Sequence, residues 1–169
     1  IPSILISIFS LFLFSFALEK YFDKKITTAV NNSHKLAKNY VQDVRNKIES
    51  DIVMIAFDIN KSGNFYQSDP RDFKKFLINQ KILRNVDEIH IITDQKKIIM
   101  STLNDMKKFI APDQKAFDLV MKDDRPLKII NAFENKSAAI LKLPNYKNTY
   151  LYVVKYLEQD ISKYLTESQ

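Results

Sequence analysis

The chain begins with a long stretch of apolar residues. Positions 1–18 carry no charged side chain, and an α-helix of that length spans about 27 Å, close to the thickness of a bilayer core. A helix inside a soluble domain is seldom apolar on all sides over such a distance. We therefore predict that residues 1–18 form the C-terminal part of a transmembrane helix. A cleaved secretory signal, with Ser15 and Ala17 as the small residues before the cleavage site, is the alternative interpretation.

The apolar pattern then changes to a spacing of three or four residues, which continues to Ile59. Residues 19–60 contain no Pro and no Gly, so the pattern predicts one amphipathic helix about 60 Å long. Polar residues at positions 31–33 interrupt the apolar stripe. We therefore expect a partner helix or the domain's own sheet, rather than a tight coiled coil, to cover it. Gly63 is predicted to end the helix with left-handed backbone.

A second helix pattern and five strand patterns follow. Asp69 is predicted to cap the helix and Pro70 to open it. Its apolar face is predicted to comprise Phe73, Phe76, Leu77 and Ile82. The strand patterns cover residues 88–93, 97–102, 127–133, 138–143 and 149–157. A further helix, which begins at Pro112, separates the second strand from the third.

This order predicts an α+β fold. A long N-terminal helix, continuing from the transmembrane segment, packs on a five-stranded antiparallel sheet with a helical crossing on one face. The arrangement resembles that of PAS-like and Cache-like sensor domains. The predicted parts are the transmembrane helix (1–18), the long membrane-proximal helix (19–62), the sensor domain (63–157) and an exit helix toward the next membrane segment (158–169).

The last strand runs directly into this exit helix. Side chains alternate along a strand, so we predict that the even-numbered positions 150–156 share one face and the odd-numbered positions 151–157 the other. Asp160 is placed to cap the helix that follows. No flexible linker separates the strand from this helix, as the output end of a sensor would require.

Composition excludes several classes of enzyme. Gly63 is the single glycine, and there is no cysteine. Phosphate-binding loops and dinucleotide fingerprints need several glycines for close backbone approach. Without cysteine there is no disulfide, thiolate metal site or cysteine nucleophile. The net charge of +6 comes from scattered lysines rather than a basic stripe, which favours a solvated surface over nucleic-acid binding.

The two histidines do not mark a catalytic or metal site. His34 lies in NSHKLAKNY, where Lys35 replaces the acidic residue that follows the phospho-acceptor of histidine kinases. His90 lies on a predicted strand with no second His nearby. Asp123 and Asp124 are adjacent and point to opposite sides of the chain, so they do not form a carboxylate dyad. No Ser stands in a nucleophile elbow. We predict no enzymatic activity, cofactor or metal for this chain.

Four stretches carry a resemblance to a known family. They are IPSILISIFS, DIVMIAFDIN, DPRDFKKFLINQKILR and TYLYVVKYLEQDISKYL. Together they resemble the extracytoplasmic sensor region of NtrY-type histidine kinases, the membrane kinases of the nitrogen-regulation two-component pair. In the last stretch the matching positions are Tyr150, Leu151, Tyr152, Val153, Lys155, Tyr156 and Asp160. Glu158 and Gln159 stand where the family often has Asp-Pro.

The resemblance implies a sensor region on the periplasmic side of a bacterial inner membrane. It also implies a second membrane helix, a HAMP linker, a PAS domain and a kinase core after Gln169. A cognate response regulator would be a partner only through that kinase core. The kinase's catalytic residues match no position of this chain.

We therefore predict a membrane-anchored receptor for an unidentified small signal, dimeric through the long helix. Ligand or environment would bias two packings of the sheet against that helix. A pocket is expected between the sheet and the helix over residues 111–121. The candidate ligand-binding residues, whose cations would favour a small anion, are Arg84, Lys142, Tyr150, Tyr152 and Lys155.

Two other functions remain open at this point. The chain could be a membrane-anchored interaction module without a small ligand, which dimerises or binds another envelope protein. It could also be a secreted enzyme behind a cleaved signal. Convergent carboxylates with raised pKa values in a cleft would indicate the enzyme, and a filled core under the crossing helix would indicate the interaction module.

Overall fold

The computed structural model describes residues 2–62, 65–131 and 135–158. Helix α1 (Pro2–Lys61) is continuous, so the apolar start and the amphipathic stretch form one helix. Its apolar N-terminal part is long enough to cross a membrane and is not buried against any described residue. The predicted helix terminator Gly63 lies outside the described residues, as does the predicted exit helix (158–169) apart from its first residue.

Only the C-terminal part of α1 packs on the sheet. Between Ala37 and Ile59 the predicted apolar stripe is buried except at the half-buried Tyr40 and Val44, whereas Phe22, Ile26 and Leu36 are exposed. The sheet does not extend to this earlier part of the helix, so its apolar side chains have no cover among the described residues. Ile48, Ile52 and Ile55 are fully buried and form the centre of this contact.

Two further helices, α2 (Phe65–Ser68) and α3 (Pro70–Arg84), follow. As predicted, Asp69 caps α3: its carboxylate accepts a hydrogen bond from the amide of Asp72 at 3.1 Å. Phe73 and Leu77 are buried, but Ile82 is 71% exposed, so its predicted place in the apolar face is wrong. Ile82 is nine positions after Phe73, which turns it about 180° around the helix.

The sheet contains five antiparallel strands in the order β2-β1-β5-β4-β3. The strands are β1 (Glu88–Thr93), β2 (Ile98–Ser101), β3 (Leu127–Asn131), β4 (Lys136–Lys142) and β5 (Thr149–Tyr156). A short 3-10 turn (Met106–Lys108) and helix α4 (Gln114–Met121) lie between β2 and β3. β4 begins two residues before the predicted position because its polar first residue pairs with the end of β5.

The two faces of the sheet bury different helices. Ile89, Leu151 and Val153 face α1 and α3, in the larger apolar core. Ile92, Ile140, Tyr150, Tyr152 and Val154 face α4, whose Phe117 and Val120 complete the smaller core. This division confirms the predicted alternation of β5 and places α4 over the face that carries its tyrosines.

Candidate functional site

A cavity of about 270 Å³ lies between the sheet and the segment that leads into α4. This is the face and the chain segment where the sequence predicts a pocket. The cavity's lining is mainly apolar and includes one ammonium and one carboxylate group. Its lining residues are Ile110, Ala111, Pro112, Asp113, Ile129, Lys136, Ala138 and Tyr152.

Helix α4 holds one side of the cavity in place through its apolar face. Phe117 is fully buried, and its ring centroid lies 4.8 Å from that of Tyr150. Asp113 precedes the helix, but its carboxylate makes no capping hydrogen bond to α4. The N-terminal end of α4 therefore presents a carboxylate beside the cavity, while its later turns anchor the helix on the sheet.

A buried chain of polar side chains lies on the same face of the sheet. His90 is fully buried; its Nδ1 lies 2.7 Å from Ser101 Oγ and its Nε2 lies 2.9 Å from Glu88 Oε1. The amide of Leu103 donates to Ser101 Oγ at 3.0 Å. A carboxylate only accepts hydrogen bonds, so Nε2 donates to Glu88, while Nδ1 shares a second hydrogen bond with the hydroxyl of Ser101.

The surroundings of Glu88 favour its ionised form. Burial alone would raise the pKa of its carboxyl, but hydrogen bonds from His90 and Tyr156, together with the charges of His90 and Lys136, lower that pKa below its ordinary value. Glu88 is therefore a buried carboxylate whose charge is balanced by its neighbours. Such an arrangement is sensitive to the loss of any one of these partners.

The second oxygen of Glu88 holds the last residue of β5. The phenolic hydroxyl of Tyr156 hydrogen-bonds to Glu88 Oε2, and burial followed by this hydrogen bond raises the pKa of Tyr156. The amide of Tyr156 donates to Asp87 Oδ2 at 2.6 Å. Lys136 Nζ lies 5.9 Å from the centre of the Tyr156 ring. The end of β5 is thus fixed to the start of β1.

Aromatic contacts join this polar chain to the cavity. The ring of Tyr152 stacks on that of His90 with centroids 5.7 Å apart, and Tyr152 also lines the cavity. Phe109 meets His90 edge-on at 4.8 Å. We define the polar relay as Ser101, His90, Glu88 and Tyr156. Through Tyr152, the relay connects the cavity wall to the last residue of β5.

The sequence-predicted ligand residues do not all lie together. Tyr150, Tyr152 and Lys142 share the α4 face of the sheet, because Lys142 pairs with Tyr150 across β4 and β5. Of these three, Tyr152 lines the cavity, whereas Tyr150 packs on Phe117. Burial, and then the charge of Asp94, raise the pKa of Tyr150, so its hydroxyl stays protonated.

Arg84 and Lys155 lie on the opposite face, toward α1. Arg84 Nη2 lies 3.5 Å from Asp58, its Nη1 lies 3.9 Å from Asp51, and its Nε donates to Gln80 at 2.8 Å. Lys155 Nζ lies 3.7 Å from Asp87. Both cations therefore have ion-pair partners, and neither lines the cavity.

Sequence reasoning missed most of the polar relay. Glu88 and His90 are two apart on a predicted strand, which places them on one face, and they interrupt an otherwise apolar run. That signal was sufficient to suggest a buried polar pair. Ser101 and Lys136 carried no comparable signal, because their positions depend on the register of β2 and β4. The described residues contain no cluster of three or more metal-ligating side chains.

Fold and site together define a class of protein: an α+β domain with a cavity beside its sheet, carried at the end of a helix of membrane-spanning length. The sequence model of the family described as "NtrY N-terminal region" matches residues 1–169. The chain therefore belongs to the NtrY N-terminal region family, which confirms the predicted resemblance.

Several similar proteins carry NtrY in their names. The chain is 24% identical over 170 residues to the nitrogen regulation protein NtrY of Azorhizobium caulinodans, covering 100% of this chain and 22% of that protein. Putative NtrY-like sensor histidine kinases of Rickettsia conorii and Rickettsia felis are 23% and 25% identical over 161 and 165 residues. Both alignments cover 95% of this chain and 27% of the relative. The chain thus spans about a quarter of the length of these relatives.

Proposed function

We propose that this chain is the extracytoplasmic sensing region of a membrane-bound, NtrY-like sensor histidine kinase. It would lie on the periplasmic side of the bacterial inner membrane, as a PAS- or Cache-like domain between two membrane segments. The kinase core and its response regulator would belong to the parts of the protein outside this sequence. The single observation that carries the proposal is the connected path from the cavity, through Tyr152 and the polar relay, to the last residue of β5.

A ligand in the cavity would contact both Tyr152 and Lys136. Tyr152 stacks on His90, and Lys136 contributes to the charge balance of Glu88. A change at either residue therefore reaches Glu88, which holds the hydroxyl of Tyr156. Ligand binding would favour one of two arrangements of this path, and its differential affinity for the two would set the size of the shift.

The end of β5 is well placed to pass such a shift onward. Asp87 accepts the amide of Tyr156, and the carbonyl of Asn135 accepts the amide of Leu157 at 2.6 Å. Neighbouring Lys155 lines a small cavity of about 30 Å³ together with Val44 and Ile48 of α1. Because β5 ends between strand neighbours and α1, a movement there would displace the point at which the chain leaves the sheet relative to α1.

A metabolite screen tests the cavity. The melting temperature of the full protein in detergent would be measured in the presence of each compound from a library of small metabolites. The wild type would be compared with the Ala138→Phe variant, in which the added ring fills the cavity. We expect a compound that raises the melting temperature of the wild type and not that of Ala138→Phe. Leu119→Phe is the control, because Leu119 is 59% exposed on α4 and its added ring stays outside the cavity. Equal shifts in all three proteins would contradict a ligand in this cavity.

A second candidate function, dimerisation through α1, rests on a different observation. Val53, Met54 and Phe57 are exposed on α1, and Val53 and Phe57 are one turn apart on the same side. In a homodimer this surface would pack on its counterpart. The sequence has no cysteine, so Phe57→Cys introduces a single thiol into this region. In membranes we expect the Phe57→Cys variant to form a disulfide cross-link between two protomers. The Ile55→Cys variant, whose thiol would face the sheet, should form none.

A further inference from the structure

A second surface lies at the edge of the sheet that is farthest from β3. Strand β2 is the terminal strand of the sheet order and pairs with β1 on one side. Within residues 2–62, 65–131 and 135–158, no strand pairs with its other side. A groove of about 420 Å³ runs along this edge. Its lining residues are Lys74, Lys96, Lys97, Ile98, Ile99, Met100, Ser101, Met106 and Phe109.

The groove has walls on both faces of the sheet. Lys74 of α3 lies on one side, and Met106 and Phe109 of the segment after β2 lie on the other. Ile99 and Met106 are 37% and 46% exposed, so the groove offers apolar surface next to an open strand edge. An extended peptide that adds to such an edge gains backbone hydrogen bonds from the strand and specificity from the flanking side chains.

The charges at the groove are predominantly positive. Among the described residues, the ammonium groups of Lys74, Lys96 and Lys97 form no ion pair. The nearby carboxylate of Asp105 accepts the amide of Lys107 at 3.0 Å and keeps its negative charge, but Asp105 is not among the residues that line the groove. Asp94 is a second acidic group next to this edge, in the turn between β1 and β2. The excess of lysines favours an anionic partner.

We propose that this groove binds, by strand addition to β2, an extended segment of another protein in which acidic side chains alternate with apolar ones. The acidic side chains would meet the lysines, and the apolar ones would contact Ile99 and Met106. A second copy of this chain is a poorer occupant, since two lysine-lined edges would face each other. The inference goes beyond small-ligand sensing and does not depend on the cavity being occupied.

The groove also contacts the polar relay. Ser101 and Phe109 line the groove, and both contact His90. Ser101 Oγ lies 2.7 Å from His90 Nδ1, and the ring centroids of Phe109 and His90 are 4.8 Å apart. A bound segment would therefore restrain the relay from the β2 side, whereas a cavity ligand reaches it through Tyr152. The protein partner would act as a second input on the end of β5.

The test uses the full protein in nanodiscs and a short fluorescent peptide in which Glu alternates with Val. We expect this peptide to bind, and its counterpart with Lys for Glu to bind at least about tenfold more weakly. Lys74→Glu/Lys97→Glu should weaken binding of the Glu peptide by at least about tenfold, whereas Lys38→Glu, an exposed lysine on α1, should leave it unchanged. Unaltered melting temperatures of the variants confirm that they are folded.

Backbone methylation of the peptide distinguishes strand addition from charge attraction. Along an added strand, the amides of every second residue face β2. Methylating one alternate set of amides should abolish binding, and methylating the other set should not. The proposal would be overturned if the two methylated sets had equal effects, if the Glu and Lys peptides bound equally, or if neither peptide bound. It would also be overturned if the protein self-associated and Lys97→Glu strengthened that self-association. The Ala138→Phe variant should still bind the peptide, so this experiment can succeed even if the proposal of a ligand in the cavity fails.

Discussion

The hydroxyl of Tyr156 binds the carboxylate of Glu88, so the last residue of β5 is held by the first residue of β1. Glu88 is 5% exposed and its other oxygen binds His90. The point where the chain leaves the sheet is therefore fixed by a buried charge rather than by apolar packing alone. A hydrogen bond to an ionised group is stronger than one between neutral groups, and it depends on the state of that group.

Removing the hydroxyl of Tyr156 should destabilise the domain measurably. Tyr156→Phe deletes one hydrogen bond to the buried carboxylate of Glu88, and we expect a loss of about 1–2 kcal/mol in the free energy of unfolding. Chemical denaturation in detergent, followed by tyrosine fluorescence, measures it. Tyr21→Phe is the matched control, because Tyr21 is 59% exposed near the N-terminus of α1. An equal effect of both substitutions would contradict the role assigned to Tyr156.

The ionisation of Glu88 predicts an acid-dependent stability. Its pKa is below the ordinary value of 4.5 in the folded protein, so its contribution is present above about pH 4.5 and is lost as the pH falls through the folded value. Melting temperatures from pH 7 down to pH 3 should therefore fall more steeply for the wild type than for Glu88→Gln. Parallel curves for the two proteins would show that ionisation of Glu88 does not stabilise the folded protein.

We expect the side chain of Phe117 to contribute most of the packing that holds α4 on the sheet. Phe117 is fully buried, so Phe117→Ala should cost about 3–5 kcal/mol of unfolding free energy. Leu119→Ala removes an exposed side chain of the same helix and should cost less than about 0.5 kcal/mol. Denaturation of the two variants under identical conditions measures the difference. Similar losses would mean that α4 does not depend on this contact with the sheet.

Arg84 is predicted to act in stability rather than in ligand binding. Its side chain is 15% exposed and lies between Asp51 and Asp58 of α1. Arg84→Met should cost about 2–3 kcal/mol, because it leaves the largely buried Asp51 with less positive charge nearby. Arg125→Met is the control: Arg125 is 86% exposed in its ion pair with Asp123, and no measurable change is expected. Loss of ligand-induced stabilisation without loss of stability in Arg84→Met would contradict this assignment.

The sequence predicted the elements well because their signals are local. Asp69, Pro70 and the alternation through Tyr150, Tyr152 and Val154 each report on their own segment. Ile82 was misplaced because apolar character alone does not fix an angle around a helix, and Gln80 takes the inward position instead. The buried face of α3 follows only when the angle of each residue around the helix is measured from Phe73.

The site was less predictable because it is assembled across strands. Glu88 and His90 share a face by local spacing, but their link to Ser101 and Tyr156 depends on the pairing of β1 with β2 and β5. Lysines are common on surfaces, so nothing in the sequence favoured Lys136 over Lys142 or Lys155. Only the sheet register brings Lys136 opposite Tyr156 and beside the cavity.

Hydrogen exchange at the end of β5 tests the central claim, that the cavity and this strand end are coupled. The measurement compares wild type, Ala138→Phe and Leu119→Phe in nanodiscs, following the amides of Tyr156 and Leu157, which donate to Asp87 and Asn135. Filling the cavity is predicted to change the exchange of these two amides several-fold, with no change in Leu119→Phe. A change confined to residues 110–113 and 136–140, with wild-type exchange at Tyr156 and Leu157, would contradict the coupling.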